Sequence, residues 1–538
     1  MEPPVEASSA NRQIARAAGT VMAAYLATKV LGILSTILIA RTFGTGPDND
    51  AYVAANRFAE ILFNLGAGGA LASAFIPMLT QYITKDDRPG VWRFASAISN
   101  IVSTVLVTFS VISMIFAPWI VSNILAPGYT DAYRFNLCVA LLRIQLPSVV
   151  LFGISILVTS ILNAHQHFLF PAIAPAMYSL GQIIGIWVLS PSMGVYGLAW
   201  GVVLGAGLHL LVQVPNLLRL SERRYQLGYG LHLPEVRETA LLIAPRLVGV
   251  MAVQVNFLVS TAIASHMVDG SVTAIYLAFT LMLMPEATIA QAAATAALPT
   301  FSAQVTRGRE DEMRRSLAAT LRVVLLLTLP AMLGLILLRY PLIEFLFQFH
   351  SFTAASTELV AWALLWYSVG LIGHSVVEVV SRAFYALHDT RTPVTIGVAA
   401  MALNVGMSYG FSWLFAQVGW MPHGGLALAM SAATALEMVV LLIFMRWRLN
   451  GLQGRTIGDA IWKGAIGTLV MSAAIWGWLQ LAQGHSAVWV SLGGIGLGML
   501  VYGLALLALR VPEVSRILSL ASGAIRRLFR RKGSGGLK

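Results

Sequence analysis

Lys29 and Arg246 are basic residues inside apolar stretches, and neither has an acidic neighbour within a helical turn. An ionised group in hydrocarbon is costly, so each is a functional candidate by default. Two unpaired cations brought together would attract an anionic group such as a pyrophosphate, by charge and by hydrogen bonding. Gln254 and Asn256, further along the stretch that carries Arg246, could line the same space or bond between helices. Arg57 and Glu60 are three apart and Glu378 and Arg382 four apart, so each pair can meet on one helix face. Such a pair either serves a substrate or neutralises itself and stitches helices together.

Other polar groups carry weaker signals. Arg41 and Asp50 lie near the outer end of the first apolar hairpin, and Arg143, Glu286 and Glu437 are further ionisable groups in apolar surroundings. Asn404 and Ser408 are one turn apart and could ligate a cation; without a carboxylate beside them, helix packing is the plainer role. His165 and His167 lack a third ligand for zinc, and His209 and His374 show no relay partner. Lys29, Asp50, Arg57, Glu60, Arg246, Gln254 and Asn256 are therefore assigned to a substrate cavity. Arg41, Arg143, Glu286, Glu378 and Arg382 are assigned to gating or structural charge, and no residue is assigned to catalysis or a metal.

These side chains must be positioned by elements that repeat. Ala72–Pro77 reads ASAFIP, and 222 residues further on Ala294–Pro299 reads ATAALP. The same offset carries LNAHQHFLFP, ending at Pro171, onto a stretch ending ALHDTRTP at Pro393. A similar one carries Lys29-Val-Leu-Gly32 onto Arg246-Leu-Val-Gly249, so Lys29 and Arg246 hold equivalent places in a duplicated bundle. In membrane proteins that plan marks a carrier with its substrate between two halves.

Composition agrees. Hydrophobic residues are 57% of the 538-residue chain and charged residues 11%, against roughly 25% charged in soluble domains. So much apolar surface requires lipid, and the chain reads as an all-α integral membrane protein with about fourteen spans of roughly 20 residues. Residues 1–19 precede the first span, 20–220 and 236–448 are the two six-helix halves, and 459–509 are two added helices. Residues 512–532 place Val514, Ile517, Leu518, Ile525 and Leu528 on one face and crowd arginines on the rest. That pattern predicts an amphipathic helix on anionic lipid, before a tail at 533–538.

Lys and Arg concentrate in alternate loops, near 84–93, 217–237, 306–315, 387–392 and 446–455, and at both ends. The positive-inside rule then puts both termini in the cytoplasm. The formal charge of +12 follows from this bias and the basic tail, with no pattern for nucleic-acid binding. Cys138, the single cysteine, excludes a disulfide within the chain. No phosphate-binding loop, zinc-protease helix or long extramembrane domain is present, so an enzyme is not expected. No cofactor is implied; energy would come from Na+, H+ or the membrane potential, and the chain is expected to act as a monomer.

Lys29–Leu79, KVLGILSTILIARTFGTGPDNDAYVAANRFAEILFNLGAGGALASAFIPML, resembles without gaps the opening hairpin of the MurJ/MviN lipid II flippases. APRLVGVMAVQVN (Ala244–Asn256), GSVTAIYLAFTLMLMP (Gly270–Pro285) and the block from Tyr367 to Val394 are similar to later family segments, and the likeness covers about residues 20–510. The family belongs to a superfamily that includes drug/cation antiporters and polysaccharide flippases. The resemblance implies two six-helix lobes rocking about a central cavity. It also implies a substrate, lipid II, that is an undecaprenyl-pyrophosphate-linked disaccharide peptide carried to the outer leaflet for peptidoglycan synthesis. By position, Lys29 stands for a cavity arginine, Asp50 matches a family aspartate and Arg57 a basic residue of the second helix. The chain departs at Ser35-Thr36, where many members have Arg-Asp, at Phe63 and Thr280, which replace arginines, and at Ser260 and Ser408, which replace sodium-coordinating carboxylates. The thinned cationic cavity keeps two alternatives open: an exporter of another lipid-linked oligosaccharide or amphipathic small molecule, and a non-transporting scaffold for envelope assembly.

Overall fold

The computed structural model describes residues 5–67, 69–220 and 224–513, with side chains described outside 5–18, 65–74, 244–246 and 248–249. Most of the proposed amphipathic helix, from residue 514 on, lies outside the described residues. Among them every regular element is a helix, as expected where only internally bonded backbone tolerates lipid.

Two compact units emerge. The first comprises residues 1–273 and 347–356. It holds α1 (Val5–Phe43), α2 (Pro47–Ala67), α3 (Gly69–Thr84), α4 (Arg88–Ile115), α5 (Ala132–Ala164), α6 (Leu169–Ile184), α7 (Val195–Leu211), α8 (Pro234–Ala264) and the first turn of α9 (Ser271–Glu286). The second holds the rest of α9, α10 (Ala292–Thr306), most of α11 (Glu310–Phe347) and α12 (Ala354–Val369), and α13 (Leu371–Ala386). It continues with α14 (Arg391–Val418), α15 (His423–Arg448), α16 (Gly454–Leu481) and α17 (Ala487–Ala508).

Among the described residues eleven stretches are long and apolar enough to cross a bilayer, or twelve where the pair α12–α13, bent by 46°, is counted as one span. The sequence-predicted span at 52–80 is covered by α2 and α3, which flank residue 68, itself outside the described residues, and α2 carries Asp48, Asp50, Arg57 and Glu60. The one at 238–265 lies in α8, whose apolar stretch among the described residues is Val250–Ala264. The α12–α13 bend falls at Gly370, where a Cβ would collide with Ser431 of α15. Ser431 donates its hydroxyl to the Trp366 carbonyl at 2.7 Å, satisfying an acceptor that the bend withdraws from its helix.

Within the first unit, α6 and α7 pack glycine on glycine: a Cβ on Gly181 would strike the Gly205 backbone, and one on Gly185 the Gly201 backbone. Small residues let membrane helices approach this closely. Gly181→Leu is expected to cost about 3 kcal/mol or more through overpacking, visible as a lowered melting temperature of the detergent-solubilised protein.

The second unit is built on Phe301, Leu317, Leu321, Val379, Phe384 and Leu441. The added pair α16–α17 joins α11 through Leu326, Leu338, Met471, Ile475 and Tyr502. At one end of this seam Arg322 of α11, nine-tenths buried, forks onto Glu513 at 2.7 and 3.2 Å and donates to the Thr456 carbonyl at 3.0 Å. Sequence reading passed over Arg322 because its partner lies 191 residues away. Arg322→Ala strands the Glu513 carboxylate, and a loss of about 3 kcal/mol is expected. Arg322→Lys keeps the charge without the fork and should recover only part of it in the same melting assay.

Candidate functional site

In the first unit the polar groups of α1 are tied to α6. Thr28 donates to the Ala172 carbonyl at 3.1 Å and Ser35 to Gln182 Oε1 at 2.9 Å. Gln182 Nε2 in turn donates to the hydroxyls of Tyr178 and Tyr52 at 3.2 and 3.3 Å. Ser35, standing where the resemblance led us to expect an arginine, is thus a buried link in a neutral chain. Lys29 lies beside this seam, exposed and without an ion-pair partner among the described residues. Arg246 is on α8 of the same unit, its side chain outside those described. Further along α8, Asn256 is buried, and Gln254 Oε1 is buried with no hydrogen-bond partner among the described residues.

Arg57 and Glu60 meet as their spacing predicts, at 2.9 Å, and Asn56 donates to the second Glu60 oxygen at 2.9 Å. The Arg57 guanidinium also sits 4.8 Å from the Phe257 ring centroid. A cation over an aromatic face gains about 0.5–2 kcal/mol, so Arg57 is held from two sides.

Glu60 opens onto a cavity of about 510 Å³ lined by residues of α2, α5, α6 and α7. Phe63, Phe152 and Tyr178 form its aromatic wall, with Phe152 5.2 Å from Phe63 and 5.0 Å from Tyr178 between centroids. Asn56, Asn64, Thr159 and His209 add polar groups. His209 has partners that the sequence hid: its Nδ1 is 2.6 Å from Ser155 Oγ, while Gln213 donates to Ser155 Oγ at 2.9 Å and accepts from Thr159 at 2.8 Å. The histidine at i and glutamine at i+4 were the available signal.

Asp50, in the first turn of α2 and outside the apolar spans, accepts three hydrogen bonds from the start of α9. They come from the Gly270 and Thr273 amides at 2.8 Å each and from the Thr273 hydroxyl at 2.6 Å. A carboxylate at a helix N-terminus fills donors that the helix cannot satisfy and meets its positive dipole end. Burial pushes the Asp50 carboxyl up to about 6, against the pull of the Thr273 and Gly270 bonds. Its loop is fixed by Asn49 donating to the Gly44 carbonyl at 2.6 Å, and at Gly44, where φ is +63°, a Cβ would meet the Ser351 carbonyl.

The remaining charged candidates are locally engaged. Arg41 lies 5.8 Å from the Phe349 centroid, and Arg143 donates to the Met114 carbonyl at 3.1 Å. In the second unit Arg382 donates to Glu378 at 2.8 Å, and the charges of both act on buried Glu286. Glu437 is also buried there. Ser408 donates to Asn404 Oδ1 at 3.3 Å and Asn404 Nδ2 lies 3.4 Å from Met430 Sδ, so these two residues bond to each other and to the packing around them. His374 Nε2 is 3.4 Å from Thr434 Oγ1.

A family model described as lipid II flippase MurJ matches residues 39–493. The chain belongs to that family. A lipid II flippase MurJ from Burkholderia cenocepacia is 30% identical over 439 residues, covering 80% of this chain and 84% of the relative. A Vibrio cholerae protein described as "Probable lipid II flippase MurJ" is 30% identical over 511 residues, 91% of this chain and 95% of its own. Among solved structures, a lipid II flippase MurJ in an inward closed conformation matches with a TM-score of 0.77 at 24% identity, over 90% of this chain and 97% of that one. An inward-facing multidrug resistance MATE family transporter matches at 0.64 and 15%, over 79% and 96%. The MurJ fold is therefore that of a multi-pass, all-α transporter, shared with the MATE proteins.

Proposed function

We propose that this chain flips lipid II from the cytoplasmic to the outer leaflet of the bacterial inner membrane by alternating access, as a monomer with both termini in the cytoplasm. The observation that carries this reading is the family match over residues 39–493, which includes Asp50, Arg57 and Arg246. Lys29 and Arg246 take the pyrophosphate, as cations on two helices of one unit. Arg57, steadied by Glu60 and Phe257, adds positive potential nearby. Asp50 holds the outer end through its bonds to Gly270 and Thr273. No chemical bond changes, so the chain acts as a carrier and not as an enzyme, drawing on a Na+ or H+ gradient or on the membrane potential.

Ser35, Phe63 and Thr280, uncharged where family arginines or an Arg-Asp pair are expected, favour a second reading: export of another lipid-linked oligosaccharide. Expression in a strain depleted of its own lipid II flippase tests the first reading. Restored growth and cell shape is the expected result. Failure with normal expression and membrane insertion would count against it.

A further inference from the structure

The cavity among α2, α5, α6 and α7 has a composition that suits neither end of a simple lipid phosphate. Its lining carries one carboxylate, Glu60, already neutralised by Arg57, and no lysine or arginine. A pyrophosphate would find no free cation there, because the nearby Arg57 is already engaged by Glu60 and Phe257. A hydrocarbon tail would strand polar groups away from water. Among the described residues Asn64 makes no hydrogen bond, Asn56 uses an N–H on Glu60 and its side-chain carbonyl has no partner, and the His209 ring bonds only Ser155, through Nδ1. The same lining carries the rings of Phe63, Phe152 and Tyr178, the first of them where the family resemblance would have a cation, and Phe152 lies 5.4 Å from the His209 ring between centroids.

An uncharged ring with apolar C–H faces and polar edges satisfies both kinds of lining group. Its faces lie against aromatic carbon, while its hydroxyl and amide groups reach amide, carboxylate and imidazole partners. The volume of about 510 Å³ falls within the roughly 300–1,000 Å³ of small-molecule sites. We infer that this cavity receives a sugar ring of the lipid-linked substrate, leaving the pyrophosphate to Lys29 and Arg246. The inference rests on the proposed function and deepens it: Phe152 and Asn64 select the glycan, whereas the two cations select the anionic link.

The test uses the full chain in nanodiscs with three probes: lipid II, lipid II with its peptide removed, and undecaprenyl pyrophosphate. Phe152→Leu and the milder Asn64→Ala should each weaken binding of the two sugar-bearing probes about tenfold and leave undecaprenyl pyrophosphate within about twofold. Equal loss on all three probes, loss confined to the peptide-bearing probe, or no loss at all would each overturn the inference. A wild-type chain that binds no lipid II overturns the transport reading as well, a result separate from insensitive variants in a binding-competent protein.

Discussion

Asp50→Ala is expected to unfold at a markedly lower temperature than the wild type, by about 3–5 kcal/mol in stability. The carboxylate is buried and accepts from the Gly270 amide, the Thr273 amide and the Thr273 hydroxyl, so truncation leaves three donors without an acceptor at the start of α9. Asp50→Asn keeps one carbonyl oxygen and should lose less. A melting curve of Asp50→Ala matching the wild type would show that these bonds do not hold the start of α2 in place. The same side chain gives a pH signature. Its folded-state value, about 6, lies above the ordinary 3.8, so its stabilising contribution is complete at low pH and is lost as pH rises between those values. The wild type should therefore lose more thermal stability than Asp50→Asn between about pH 4 and about pH 7.

Lys29→Ala and Arg246→Ala should each weaken lipid II binding by about 10- to 100-fold, the range of one lost charge-assisted hydrogen bond. Glu378→Ala should have a much smaller effect on binding, since Glu378 is engaged with Arg382 at 2.8 Å in the second unit. The measurement is a titration of lipid II onto purified protein in nanodiscs. Equal and negligible losses at Lys29 and Arg246 would end the argument that these cations hold the pyrophosphate.

What could be read from the sequence was local or periodic. Apolar run length revealed the spans, and spacings of three and four revealed the Arg57–Glu60 and Glu378–Arg382 pairs, because one helix fixes both members. The duplicated segments predict equivalent places for Lys29 and Arg246. Contacts between helices were hidden. Asp50 meets residues 220 and 223 positions later, and His209 meets Ser155 54 positions earlier. A helix such as α7, apolar on nearly every side, carries no periodic signal to say which face looks inward. The cavity lined by Phe63 and Phe152 was hidden for the same reason, since Phe63 registered only as a missing cation.

Reconstitution into liposomes with fluorescent lipid II, scored by its appearance in the opposite leaflet, asks most directly whether this chain moves its substrate. Transfer that exceeds that of protein-free vesicles, and that falls with Lys29→Ala or Arg246→Ala, is the predicted result. Correctly inserted, folded protein that leaves lipid II on its starting side would contradict it.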